Sequence, residues 1–87
     1  MIKVKEWKAT QIKMDMAKYH WMPVYEYTTV NGIEQAYNPE DESYTFIGEI
    51  LSESEKAYKV ELETQTESFG ATGKTFTCWI PKSVVLA

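Results

Sequence analysis

The run Ala57-Tyr58-Lys59-Val60-Glu61-Leu62-Glu63 decides the fold class. Tyr58, Val60 and Leu62 alternate with Lys59, Glu61 and Glu63, so an extended chain collects the apolar side chains on one face and the charged ones on the other. A period of two belongs to a strand with one face against a core and one face in water. The neighbouring segments repeat the pattern. Tyr44 to Leu51 is rich in β-formers, and Ser52 to Lys56 supplies a turn. A polar loop over 64–73, with Gly70 and Gly73, leads to Thr75–Ile80, which places Phe76, Cys78 and Ile80 inward. Pro81-Lys82-Ser83 breaks that strand, because proline cannot donate to a ladder, and Val84-Val85-Leu86 forms a last short one. The expected fold is mainly β.

Toward the N-terminus, Pro23 to Val30 is again rich in β-formers and runs into Asn31-Gly32, with Ile33 to Tyr37 as the return strand. Asn-Gly suits a two-residue hairpin turn, whose central residues both need positive φ. Asn38-Pro39-Glu40-Asp41-Glu42-Ser43 reads as a solvated loop. Over residues 10–16, Thr10, Ile12, Met14 and Met16 alternate with Gln11, Lys13 and Asp15, which favours a strand; Ile2 and Val4 begin a similar pattern. One short helix near residues 10–20 is the competing reading, since Ile12 and Met16 are also four apart.

Eighty-seven residues make a single domain with a thin core, and three Trp, six Tyr and three Phe supply much of its area. One cysteine, Cys78, excludes an internal disulfide and a cysteine-built metal site. It points to a reducing compartment, the cytoplasm. No apolar stretch follows the lysines of the N-terminus as a signal peptide requires, and none is long enough to cross a bilayer. The charge is uneven. Residues 1–20 carry +3, residues 21–55 carry eight acids and no lysine, and residues 56–87 carry +1, for a net −4. All nine basic residues are lysine; arginine, the usual bidentate reader of phosphate and guanine, is missing.

Trp79-Ile80-Pro81-Lys82-Ser83-Val84-Val85 resembles the close of a Src-homology-3-like barrel, where a strand ends in an aliphatic-proline turn and a 3₁₀ turn leads to a short final strand. Together with Gly48-Glu49-Ile50 and Lys56-Ala57-Tyr58, it resembles small proteins of unknown function in bacteriophages and prophages. The resemblance covers residues 44–86. It implies a small barrel of about five to six strands, with 1–43 as N-terminal strands or a hairpin extension and 44–87 as a barrel-like meander. It implies no activity. Peptide-binding barrels of this class carry a tyrosine shortly after the proline; Val84 and Val85 stand there, which argues against proline-rich ligands.

Catalytic motifs are weak. Gly70-Ala71-Thr72-Gly73-Lys74-Thr75 ends like a phosphate-binding loop, but Ser68 stands where the pattern needs glycine and a strand follows the lysine. His20 and Cys78, with Asp15 as orienter, have no spacing that supports a dyad, and Glu40-Asp41-Glu42 lacks the spacing of a calcium loop. The expectation is therefore a non-enzyme with no cofactor and no metal. Two binding readings remain. In the first, a non-enzymatic accessory protein docks to a basic partner, such as a host or phage protein that handles nucleic acid, and modulates or inhibits it. Tyr25, Tyr27, Glu40, Asp41, Glu42 and Trp79 are its candidate contacts, since exposed aromatics anchor interfaces and a negative field steers association. In the second, single-stranded nucleic acid binds to Lys3, Lys5, Trp7, Lys8, Lys13, Lys18, Tyr19 and Trp21 through stacking and phosphate contacts. A homo-oligomer is compatible with either reading.

Overall fold

The computed structural model describes residues 1–86. In chain order they form β1 (Ile2–Lys5), α1 (Glu6–Ala17), β2 (Met22–Pro23), β3 (Tyr25–Glu26), β4 (Thr28–Val30), β5 (Ile33–Gln35), β6 (Tyr37–Asn38), β7 (Ser43–Phe46), β8 (Gly48–Glu53), β9 (Ala57–Gln65), β10 (Ala71–Pro81), a 3₁₀ turn (Lys82–Val84) and β11 (Val85–Leu86). The fold is mainly β, as the alternation predicts.

In one sheet β1 lies between β11 and β7, and β7 also pairs with β3 and β6; in a second, β9 pairs with β10, β8 and β2; β4 and β5 form a separate two-stranded hairpin. All these pairings are antiparallel. The first two sheets share bent strands. β7 and β8 are halves of one strand that turns at Ile47, whose N–H donates to Val24 and whose carbonyl accepts from Glu63, both at 2.9 Å. The next residue is glycine for a steric reason: a Cβ on Gly48 would run into the Glu61 carbonyl and lie 2.9 Å from Leu62 Cδ2. The pairing path therefore runs β11–β1–β7/β8–β9–β10, and the 3₁₀ turn carries β10 back to β11. β10 and β11 each pair one neighbour among the described residues, so no closed ring of ladders forms.

The core is Ile2, Val4, Ala9, Ile12, Met16, Phe46, Val60, Leu62, Ile80 and Val84. Val60, Leu62 and Ile80 are the inward positions of the alternating strands, and Ile2 and Val4 occupy the same role in β1. Phe76 and Cys78 pack against this core while remaining half-buried.

Residues 10–16 are helical, not extended. Ala9, Ile12 and Met16 are buried at helical spacing, whereas Met14 is 66% exposed and Thr10 is exposed. The two-residue alternation was matched by chance in a segment of good helix formers (Ala, Gln, Lys, Met), and one apolar stripe facing the core decides it. The helix ends at a glycine-like position occupied by His20, with φ 62°. Trp21 N–H donates to the Met16 carbonyl at 3.1 Å and His20 N–H to that of Ala17 at 3.0 Å, the two bonds of a Schellman motif.

The Asn31-Gly32 hairpin forms as predicted, with φ of 51° and 78° and Val30 opposite Ile33. The strand before it is broken into three short pieces rather than running from Pro23 to Val30, because β2, β3 and β4 each pair a different neighbour. The solvated loop over 38–43 shrinks to residues 39–42: Asn38 lies in β6 and Ser43 is fully buried in β7. The polar loop over 64–73 shrinks likewise, since β9 runs to Gln65 and β10 starts at Ala71. Thr64, buried, donates its hydroxyl to the Lys74 carbonyl at 2.8 Å and closes that end.

Candidate functional site

The outward face of the second sheet is set by register. Ile80 is buried, so its neighbour Trp79 points out and is 50% exposed. Trp79 lies opposite Lys59, Thr77 opposite Glu61 and Thr75 opposite Glu63. On the other side of β9, Glu49 lies directly opposite Glu61. Glu49, Glu61, Glu63 and Thr75, with Ile47 and Gly48, surround a shallow depression of about 380 Å³. Along this face Trp79 stands beside Lys59 at one end, and toward the other end Glu61 and Glu63 stand beside Thr77 and Thr75, with Glu49 on the far side of Glu61. Like charges directly opposite on adjacent strands destabilise a sheet, so Glu49 against Glu61 is a local cost that the fold itself does not require. Reading charge in consecutive segments missed this cluster, because Glu61 and Glu63 fall in a segment of net +1 while Glu49 belongs to the acidic middle. The signal was present in the alternation of 57–63, which assigns both glutamates to the water face.

A second surface lies at the start of α1. Lys5, Glu6, Trp7, Thr10, Asp41 and Glu42 line an open groove of about 580 Å³, held together by the Glu6 N–H donating to the Glu42 carbonyl at 2.9 Å. Trp7 is 61% exposed. Asp41 is ion-paired with Lys3 and accepts from Ser43 Oγ at 2.5 Å; the Lys3 ammonium, and then the Ser43 hydroxyl, hold its carboxyl below the usual range. The lysine-rich start and the acidic middle are therefore neighbours in space, because β1 and β7 pair.

The candidate docking residues do not converge. Asp41 and Glu42 share the groove, and Glu40 is exposed beside them. Tyr27 is 56% exposed over a separate depression with Lys3 and Glu26. Tyr25 packs against the core, its ring 5.6 Å from Phe46 and 5.2 Å from Tyr44; burial first, and then Tyr44, pushes its phenol up to about 12. Trp79 sits near the far end of the bent strand, since its neighbour Lys59 pairs with Ser52 while the acidic turn adjoins Ser43. At about 3.3 Å per residue that is roughly 30 Å of strand.

The candidate nucleic-acid residues are also dispersed. Lys3 pairs with Asp41; Lys5 and Trp7 line the groove; Lys8 donates to Gln11 at 2.7 Å; Lys13 borders a depression with Tyr25 and Tyr44; Lys18 pairs with Asp15 at 3.7 Å. Tyr19 and Trp21 stack at 5.0 Å, with Phe76 edge-on to Tyr19 at 6.4 Å, but at a different place from the groove that Lys5 and Trp7 line.

The chemical motifs find no support in the geometry. Lys74 lies within β10, so no helix N-terminus follows Gly70–Thr75 to hold phosphate. His20 is exposed at the helix end, and burial pushes the Cys78 thiol up to about 11, opposite to what a nucleophile needs. Among the described residues no group of three or more His, Cys, Asp and Glu side chains is placed to hold a metal, and no helix is long and apolar enough to cross a membrane. Compared with known proteins, the chain matches no family model, and no curated protein and no solved structure is significantly similar to it.

Proposed function

We propose that this chain is a non-enzymatic docking module that engages a basic protein through the outward face of β8, β9 and β10. The observation that carries the reading is the placement of half-exposed Trp79 on the same face as Glu49, Glu61 and Glu63. An exposed tryptophan gives an anchor with large contact area. Opposed carboxylates give a negative field that speeds encounter with a basic partner and whose mutual repulsion a cation relieves on docking. A protein that handles nucleic acid, and so presents a basic surface, is the kind of partner this face suits, and the module would modulate or inhibit it. The fold reading that accompanies this is a Src-homology-3-like barrel with residues 6–42 inserted between its first two strands. The path β11–β1–β7/β8–β9–β10, the shared bent strand and the 3₁₀ turn before β11 support it.

Single-stranded nucleic acid is the second reading, supported by the stacked Tyr19–Trp21 pair with Lys18 next to it. One titration separates the two. A lysine-rich peptide is expected to bind the parent, to bind the combined Glu49→Gln, Glu61→Gln, Glu63→Gln variant at least tenfold more weakly, and to lose affinity as salt screens the field. Equal binding by the variant would move the docking surface elsewhere; tight, salt-sensitive binding of oligo(dT) by both proteins would favour the nucleic-acid reading.

A further inference from the structure

β10 pairs with β9 along one edge, and no strand among the described residues pairs with the other. Glu63 tells which backbone groups face that open edge. Its N–H donates to Ile47 and its carbonyl accepts from Val24, so both point away from β10. Backbone groups alternate sides along an antiparallel strand. Leu62, Val60 and Tyr58 therefore point theirs at β10, where Phe76, Cys78 and Ile80 stand opposite. Thr75, Thr77 and Trp79 aim their N–H and C=O groups at the open edge, where no partner is found among the described residues.

Monomeric sheet proteins blunt such an edge with charge, proline, a bulge or short length. Here those devices sit only at the two ends. The register shift between Ala71 and Thr75, with Lys74 in it, guards one end, and Pro81 guards the other. Thr75-Phe76-Thr77-Cys78-Trp79-Ile80 between them holds no charge, no proline and no glycine. Trp79 is 50% exposed, and Phe76 and Cys78 are left half-covered on the inner side.

We propose that β10 pairs antiparallel with β10 of a second copy of this chain, about a two-fold axis at Thr77. The contact is isologous and closes at two copies. Thr77 faces Thr77 of the second copy, and Thr75 faces its Trp79, so every open N–H and C=O on Thr75, Thr77 and Trp79 gains a partner. Phe76 of each copy covers Cys78 of the other, and the outward pairs are threonine with threonine and threonine with tryptophan, which suit cross-strand packing. No carboxylate is brought opposite another, since Glu61 and Glu63 stay one strand back in each copy. A second copy is favoured over a charged peptide because Thr75–Ile80 itself carries no charge, and the two charged groups of α1 nearest Cys78, Lys8 and Asp15, are of opposite sign and so favour neither a basic nor an acidic strand. This proposal stands apart from the docking reading; if both hold, the two acidic faces lie side by side with two Trp79 rings between them.

Sedimentation across a concentration series tests it. The parent is expected to pass from monomer to dimer as concentration rises. Thr77→Pro removes an N–H from the open edge and none from the β9 ladder, so it is expected to stay monomeric with an unchanged far-ultraviolet spectrum. Thr77→Lys, which sets two lysines face to face across the axis but lies opposite Glu61 within its own sheet, is expected to stay folded and monomeric even if the proline variant unfolds. A parent that remains monomeric at millimolar concentration, or a folded Thr77→Lys variant that dimerises like the parent, overturns the proposal.

Discussion

The three long strands of the C-terminal half and the short strands of the N-terminal half bury their side chains by different rules. β8, β9 and β10 form a meander in which β9 alternates between the core and the outer face from Val60 to Thr64. Residues 22–38 instead pass through five strands of two or three residues: β2 pairs with β9, β3 and β6 both pair with β7, and β4 and β5 pair with each other. Where one strand keeps one neighbour on each side, burial follows the pleat. Where the chain crosses from one sheet to the other, at Val24 and Ile47, burial follows the bend. The first kind of region presents a uniform outer face; the second provides the joints that hold the sheets together.

The strongest contrast is between Phe46, at the joint, and Trp79, on the face. Phe46 is fully buried beneath Tyr25, beside the bend at Ile47. Phe46→Ala is expected to cost about 3–5 kcal/mol and to leave much of this small domain unfolded. Trp79→Ala, which removes a half-exposed ring, is expected to change stability by about 0.5 kcal/mol or less. Urea denaturation of the two variants checks the difference; equal losses would make Trp79 part of the core.

The meander, the Asn31-Gly32 turn and the break after Ile80 were legible because each rests on local chemistry: alternation, positive φ, and a proline that cannot donate to a ladder; the 3₁₀ form of that break, which takes in Val84, came only with the resemblance. Residues 10–16 were not, because a short amphipathic segment with Ile12 and Met16 fits both periods until the burial of Ala9 is known. The acidic cluster was half legible. Alternation puts Glu61 and Glu63 in water, but only the β8–β9 register puts Glu49 against Glu61. Nothing local reveals that Lys3 meets Asp41, since strand pairing across 37 intervening residues brings them together.

That Lys3–Asp41 contact gives the comparison a pH axis. The Asp41 carboxyl is held below its ordinary value in the folded chain. A depressed carboxylate contributes stability above its unfolded pKa, and that contribution is lost as pH falls through the folded value. Asp41→Asn is expected to lower stability slightly at neutral pH and to flatten the acid limb of a melting-temperature profile. An unchanged acid limb would mean that the surface pair contributes nothing. At the helix end, His20→Gly relieves the left-handed conformation and is expected to raise stability by about 0.5–1 kcal/mol in thermal unfolding.

The face of the β8–β10 meander, not the grooves of the bent half, is the surface proposed to receive a basic partner. Amide chemical-shift mapping during titration with a lysine-rich peptide tests it most directly. Shifts confined to Glu49, Lys59–Glu63 and Thr75–Trp79 are the predicted result. Shifts centred on Lys5–Thr10 with Asp41 and Glu42, or on Lys18–Trp21, would contradict it.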